Sequence, residues 1–378
     1  MFTFKLEKII DFKNGKIAPK KLGKIPIYGG NGILGYTDQS NYENILIIGR
    51  VGAYCGSVHI EKGKCWVSDN AIAGVHKHIE NNEYNYYLLK CISLNKKQIG
   101  SSQPLLTQGI LNKIDVNIYS DENIRTKIAA VLSALDAKIE LNNQINAELE
   151  KMAKTIYDYW FVQFDFPDAN GKPYKSSGGA MVWNEELKRE IPAGWEVLKM
   201  NKLLIKNIVK FNFNSNKSID TIDLSVMPSS TMCLNQKNSS DFFTTNLFIL
   251  NKFDILFGAI RPYLLKAGFS PFDGLVTGTV HSFKTKNENF YNFALLTMVS
   301  NSMFDFAISN CKGTKMPVIG ADDLLSYKVA FNEKVAIKFN NFLEFKHLII
   351  NNIEQNQTLA DLRDWLLPML MNGQIKVE

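Results

Sequence analysis

Two stretches decide the fold: ILIIGRVGAYCG at residues 45–56 and DILFGAIRPYLL at 254–265. Each is an apolar, β-branched run that ends at a glycine and continues into a basic residue and a tyrosine, the pattern of a strand entering a tight turn. Gly258 follows Gly49 by 209 positions. Farther along, GSSQPLLTQGILNKIDV at 100–116 and GTKMPVIGADDLLSYKV at 313–329 share Gly, Pro, an apolar pair, a distal Leu and a final Val at an offset of 213. Two matches four residues apart in offset describe one duplicated unit with a short insertion, so the chain is a tandem repeat of about 210 residues.

Each copy is followed by a helical pattern. From Asn123 to about Phe161 the residues Ile128, Val131, Leu135, Ile145, Leu149, Met152, Ile156 and Tyr159 recur at helical steps, with Lys138 and Asn142 as polar interruptions. From Val335 to about Met371 the second pattern runs Phe339, Phe342, Ile349, Ile353, Leu359, Leu362, Leu366 and Met369, interrupted at Lys346 and Asn356. Pro167 and Pro368 close the two stretches, so each predicts one long helix of roughly 50 Å, the pair packing antiparallel. The expected fold class is α+β: two globular domains joined by two long antiparallel helices, with a pseudo-two-fold internal repeat. The boundaries are a first domain over 1–122, a central helix over 123–165, a Gly/Pro/Ser-rich linker over 166–193, a second domain over 194–332 and a distal helix over 333–378. Short strands such as Ile45–Ile48 and Cys65–Ser68 and short helices such as Tyr84–Leu94 and Phe290–Val299 fill the domains.

A chain of 378 residues with 46% apolar content can bury several cores, which excludes disorder as its general state. The five cysteines, at 55, 65, 91, 233 and 311, form neither an even disulfide set nor a C-x-x-C metal pair, and no apolar run approaches the length of a membrane span. A cytoplasmic protein is the expectation. The net charge of +6 is unevenly placed: residues 1–120 hold 15 basic and 9 acidic side chains, and residues 195–331 hold 14 and 10. Two basic blocks thus alternate with mildly acidic helices, which marks where a polyanion could bind. A lysine-rich surface chosen for solubility would give the same totals.

Catalytic patterns are missing or poorly placed. There is no G-x-x-x-x-G-K-[ST] loop for phosphates, and Gly49, Gly52 and Gly56 do not fit G-x-G-x-x-G. His76 and His78 offer two nitrogens on one strand face but no third ligand follows. Asp168, Glu186 and Lys188 imitate the two carboxylates and lysine of a metal-dependent nuclease, yet they flank the linker's SSGG, where solvated charges are the simpler reading. Neither a catalytic residue nor a bound metal is expected.

Two basic copies on helical spacers suit a reader of two separated patches on duplex DNA. Arg50 and Arg261 stand just past the glycine-ended strands, one register apart between the copies, and a guanidinium can grip a guanine edge through two hydrogen bonds. Tyr54 and Tyr263 follow them. The loops carrying Lys96, Lys97, Ser101, Ser102 and Gln103, and Lys312, Thr314 and Lys315, combine glycine with short polar and basic side chains, as phosphate and base-edge contacts require. Gln103 is matched by Met316, which suits two half-sites of different sequence.

EKMAKTIYDYWFVQFDFPDANGKPYKSSGGAMVWNEELKREIPAGWEV at 150–197, NQTLADLRDWLLPMLMNGQIKV at 356–377 and the QPLLTQGIL and MPVIGADDL loops resemble the specificity subunit of type I restriction-modification systems over essentially the whole chain. The resemblance implies a non-catalytic subunit that reads a bipartite, asymmetric DNA site with one recognition domain per half. It also implies two modification subunits, which are adenine-N6 methyltransferases, and two ATP-driven restriction subunits as partners. S-adenosylmethionine, ATP and Mg²⁺ then belong to those partners, and this chain holds no cofactor. Tyr157, Tyr159, Trp160 and Phe161 at one helix end, and Trp365, Leu366, Leu367 and Met369 at the other, become candidates for packing on partners; they could equally close the chain's own core. A stand-alone DNA-binding protein without methylase partners remains a second reading, and a metal-dependent nuclease a third.

Overall fold

The computed structural model describes residues 1–77, 82–100, 104–211, 218–244 and 246–377. The chain divides into two compact units, Met1–Glu140 with Asn356–Glu378, and Leu141–Gln355, so each unit takes a stretch of both helical regions rather than ending where a helix begins.

In the first unit six strands form one sheet in the order Ile10–Asn14, Ala71–His76, Tyr42–Gly49, Val58–Val67, Ile25–Gly29, Gly32–Thr37. All pairs are antiparallel except Ile25–Gly29 beside Val58–Val67. Phe2–Lys5 and Asp115–Ile118 make a separate antiparallel pair. Leu46, Ile48 and Ile72 from one sheet face bury against Tyr84, Tyr87 and Leu88 of the helix Asn82–Cys91, and against Ile128, Leu132, Leu367, Leu370 and Met371. Each such side chain removed from water contributes about 1.5–3 kcal/mol. Arg363 donates to Asp136 at 2.6 Å, and Tyr87 donates to the other oxygen of the same carboxylate at 2.7 Å.

The second unit has two four-stranded sheets. One runs Leu204–Lys206, Val280–Thr285, Ile255–Gly258, Ala267–Phe269; the other runs Asn238–Ser239, Asp220–Ile222, Gly274–Thr277, Leu247–Leu250. Glu196–Lys199 pairs with Lys328–Phe331 as Phe2–Lys5 pairs with Asp115–Ile118 in the first unit. Helices Tyr291–Met298 and Ala321–Leu325 answer Asn82–Cys91 and Gln108–Asn112. The internal repeat is therefore structural as well as sequential.

The central helix runs Glu122–Tyr157 and ends in a wider π turn, Asp158–Val162. Its buried stripe differs from the apolar one that the spacing predicts. Val131, Ile145, Met152 and Tyr159 are exposed, while Asn142, Asn146 and Glu150 are buried. Partners make the polar burial tolerable: Asn142 donates to Gln355 at 2.7 Å, Asn352 donates to Asn146 at 2.8 Å, and Glu150 accepts from Thr231 Oγ1, Met232 N and Lys154 at 2.6, 2.8 and 2.9 Å. Within the second unit the pairing of 142 with 355 and of 146 with 352 is antiparallel, as expected.

The distal region is two helices, Glu333–Phe342 and Phe345–Met371, not one. Leu343 is extended at the break, where Leu343 and Phe345 bury their side chains and Asn292 donates its amide to the freed carbonyls of Asn340 and Leu343. Pro368 lies inside the second helix instead of closing it. Residues 166–193 likewise exceed a linker: Met181–Asn184 and Arg189–Pro192 form a hairpin, and Phe166, Ile191 and Trp195 are buried in the second unit's core.

Candidate nucleic-acid interface

In the first unit the strand Tyr42–Gly49 delivers the chain into a tight loop closed by backbone hydrogen bonds. Arg50 N donates to Asn70 O at 3.0 Å, Gly52 N to Pro104 O at 3.1 Å, Gly56 N to Gly49 O at 2.8 Å, and Leu106 N to Arg50 O at 2.9 Å. Ile99 and Leu105 exchange a reciprocal pair at 3.0 and 2.9 Å, which holds the loop of Lys96 and Lys97 against the first. The second unit repeats all of these but the Gly56–Gly49 bond, in whose place Leu265 N donates to Pro262 O at 3.0 Å. Ala259 N donates to Thr279 O, Arg261 N to Pro317 O and Ile319 N to Ala259 O at 2.9, 2.7 and 2.9 Å, while Lys312 and Val318 exchange a pair at 2.8 Å. Offsets of 209 and 213 thus relate the bonds as well as the letters.

This equivalence corrects the arginine register. Arg50 corresponds to Ala259, and Arg261 corresponds to Gly52, so the two arginines are two positions apart rather than one. Gly52 has φ 75°, and Arg261 keeps the same left-handed conformation at φ 53°; Gly56 at φ 88° is likewise answered by Leu265 at φ 53°. A left-handed backbone costs an L-residue about 1–2 kcal/mol, so the second copy holds an arginine where glycine would be relaxed.

Tyr54 and Tyr263 are 53% and 52% exposed, and Arg261, Lys96, Lys97, Lys312, Thr314 and Lys315 are also exposed. Arg50 is half-buried, with its Nε buried and unpaired. Among the described residues none of these cations makes an ion pair within the chain, which leaves their charge available to an external anion. Ser101, Ser102 and Gln103 lie outside the described residues. Sequence reasoning missed one neighbour: the hairpin Ile25–Gly29/Gly32–Thr37, whose Gly30 carbonyl accepts from Ser57 Oγ and lies 3.2 Å from His59 Nε2. Its signal was the string GGNG at 29–32, a hairpin-turn composition.

The other candidates separate. Tyr157, Trp160, Phe161 and Leu367 are buried, and Phe161 packs at 4.6 Å on Phe293 and 5.0 Å on Phe339, so these four close the chain's own core instead of offering a surface. Burial pushes the Tyr157 hydroxyl pKa up, and that hydroxyl shares a 2.9 Å bond with Thr297. Tyr159 and Trp365 are exposed, and Leu366 and Met369 are half-buried. Leu141, Ile145, Met152 and Tyr159 are exposed at steps of four, seven and seven, one apolar line along the helix.

The nuclease-like residues do not converge. Asp168 accepts from the backbone amides of Asn170 and Lys172, Glu186 pairs with Lys328 at 2.8 Å, and Lys188 pairs with Glu185 at 2.9 Å. Lys328 holds the Glu186 carboxyl below its usual range. Among the described residues no group of three or more metal-ligating side chains forms, and His78 is outside them. No helix there is long and apolar enough to cross a membrane.

Fold and site define a duplicated α+β protein with one hydrogen-bonded basic loop pair per copy. Residues 1–151 match the family described as type I restriction modification DNA specificity domain. Over 321 residues the chain is 27% identical to the type I restriction enzyme MjaIX specificity subunit of Methanocaldococcus jannaschii, covering 78% of this chain and 69% of that one. It is 33% identical over 112 residues to the EcoprrI specificity subunit of Escherichia coli, covering 29% of this chain and 28% of the relative. The crystal structure of the type I restriction-modification S subunit from M. genitalium shares the fold with a TM-score of 0.58 at 15% identity, over 98% of this chain and 95% of that one. The chain is thus similar to type I restriction specificity subunits in sequence and, to the M. genitalium subunit, in fold.

Proposed function

We propose that this chain is the DNA-reading, non-catalytic subunit of a type I restriction-modification enzyme. The observation that carries the reading is the twin loop pair, duplicated in the backbone bonds that join the two loops yet different in its exposed side chains. Each copy meets one half of a bipartite, asymmetric site: Arg50, Tyr54, Lys96 and Lys97 in the first, with Ser101, Ser102 and Gln103 from the same loop, and Arg261, Tyr263, Lys312, Thr314 and Lys315 in the second. The lysines face phosphates, which position but do not discriminate, and the arginines face base edges, which do. Two modification subunits, carrying S-adenosylmethionine, and two restriction subunits, carrying ATP and Mg²⁺, assemble on the chain; its exposed Tyr159 and Trp365, half-buried Leu366 and Met369, and the line Leu141, Ile145 and Met152 supply apolar contact.

The test selects sequences from a pool of randomised duplex DNA with the purified full chain and maps adenine methylation in a host expressing it with a modification subunit. One shared bipartite motif is expected. Lys96→Ala should weaken binding to every sequence alike and lower the slope of log K against log salt by about 0.9. Selection without enrichment, together with random methylation, refutes the function; enrichment by a chain that never co-purifies with a modification subunit refutes the assembly and leaves a stand-alone binder.

A further inference from the structure

We infer that Asn31 is a further base-reading residue, confined to the first copy, and that it recognises an adenine edge. The inference rests on the DNA-reading function proposed above. Asn31 is the only residue with a side chain in the tip Gly29-Gly30-Asn31-Gly32; it is exposed, and among the described residues its amide has no hydrogen-bond partner. An asparagine amide matches adenine in the major groove, its oxygen accepting from N6–H and its nitrogen donating to N7. Flanking glycines carry no side chain to hold the backbone away from DNA.

The tip is fixed to the loop of Arg50 and Tyr54. Ser57 donates to the Gly30 carbonyl, and His59 Nε2 lies 3.2 Å from it. A methyl group placed on Gly30 would stand 3.2 Å from Gly49 Cα and 3.6 Å from Tyr54 Cβ, so tip and loop are in backbone contact. Asn31 is therefore positioned together with Arg50 and Tyr54. Among the described residues the second copy places an apolar side chain here instead: the strand-end glycine Gly258 faces Leu224, whose Cδ1 would lie 2.8 Å from a methyl there. Unequal elements beside equivalent loops are what reading two different half-sites demands.

The experiment applies the full chain to duplex DNA with randomised positions and compares wild type, Asn31→Ala and Ser57→Ala, each at two or more salt concentrations. Asn31→Ala should lose a roughly ten- to hundredfold preference for adenine at one position of one half-site. The other half and the salt slope should not change, and the exposed site should leave the melting temperature unaltered. Ser57→Ala should blunt the same position through the slackened tip, and Ser57→Thr should restore it. An unchanged motif in Asn31→Ala overturns the inference, as does uniform weakening with a smaller salt slope, which marks a phosphate contact. Should wild type itself select no sequence, the DNA-reading function fails and this inference with it; a wild-type motif unaffected by Asn31→Ala removes the inference alone.

Discussion

Replacing Arg261 by glycine should move stability and binding in opposite directions. Arg261 sits at φ 53° and ψ 66°, and its counterpart Gly52 takes the same conformation at φ 75°. Relief of a left-handed L-residue is worth about 1–2 kcal/mol. The greater freedom of glycine in the unfolded chain returns about 0.4–1 kcal/mol, leaving a net gain of about 0.5–1 kcal/mol. For a unit of this size that is a rise of roughly 1–4 °C in melting temperature. Loss of a two-bond guanine contact costs about 1–3 kcal/mol, or roughly 5- to 150-fold in affinity for the selected sequence. Scanning fluorimetry and fluorescence anisotropy on a duplex bearing the selected motif read the two effects. Gly52→Ala is the mirror control: nothing lies within 4 Å of the added methyl, so its loss of stability reports backbone strain alone. An Arg261→Gly protein that melts lower and binds as tightly as wild type would refute both the strain and the role.

Two further predictions concern stability. Burial lowers the His76 pKa to about 4, and burial also lowers that of His281. Both are neutral in the fold and ordinary when unfolded, so their contribution is fully present above pH 6.5 and is lost as pH falls toward about 4 for His76, because the unfolded chain then binds more protons. His76→Gln should flatten the decline of melting temperature across that window relative to wild type, and superimposable curves would exclude the histidine as a cause. In the helix pair, Asn146→Leu should cost about 1–3 kcal/mol in urea unfolding by stripping Asn352 of its 2.8 Å partner, whereas Asn146→Leu with Asn352→Leu should recover most of it. A double variant whose loss equals the sum of the two single losses would show that the pair is not coupled.

Much of the architecture was legible because it lay in local pattern. The strand-to-glycine runs at 45–56 and 254–265 and the matched loops at 100–116 and 313–329 announced the duplication, and backbone bonds follow the same two offsets. The helix Asn82–Cys91 and its answer Tyr291–Met298 fell close to their expected places. Residues 166–193 misled because Gly, Pro and Ser denote turns, and a compact hairpin uses turns as freely as a linker does. The break at Leu343 was hidden because nothing in its local sequence forbids a helix; the side chain that compensates it, Asn292, is 51 residues away. Asn31 was missed because a hairpin tip becomes part of a site only through the strand it lies beside.

What the chain settles by itself is therefore the repeat, the two basic loops and the helical character of the segments after them, since periodicity and turn chemistry act among neighbours. The tertiary structure alone decided which helix face is buried. Counting apolar residues favoured the face of Ile145 and Met152, but the fold buries Asn142, Asn146 and Glu150, because a polar group loses little on leaving water when a partner waits for it, and those partners, Gln355, Asn352 and Thr231, stand 81 to 213 positions distant.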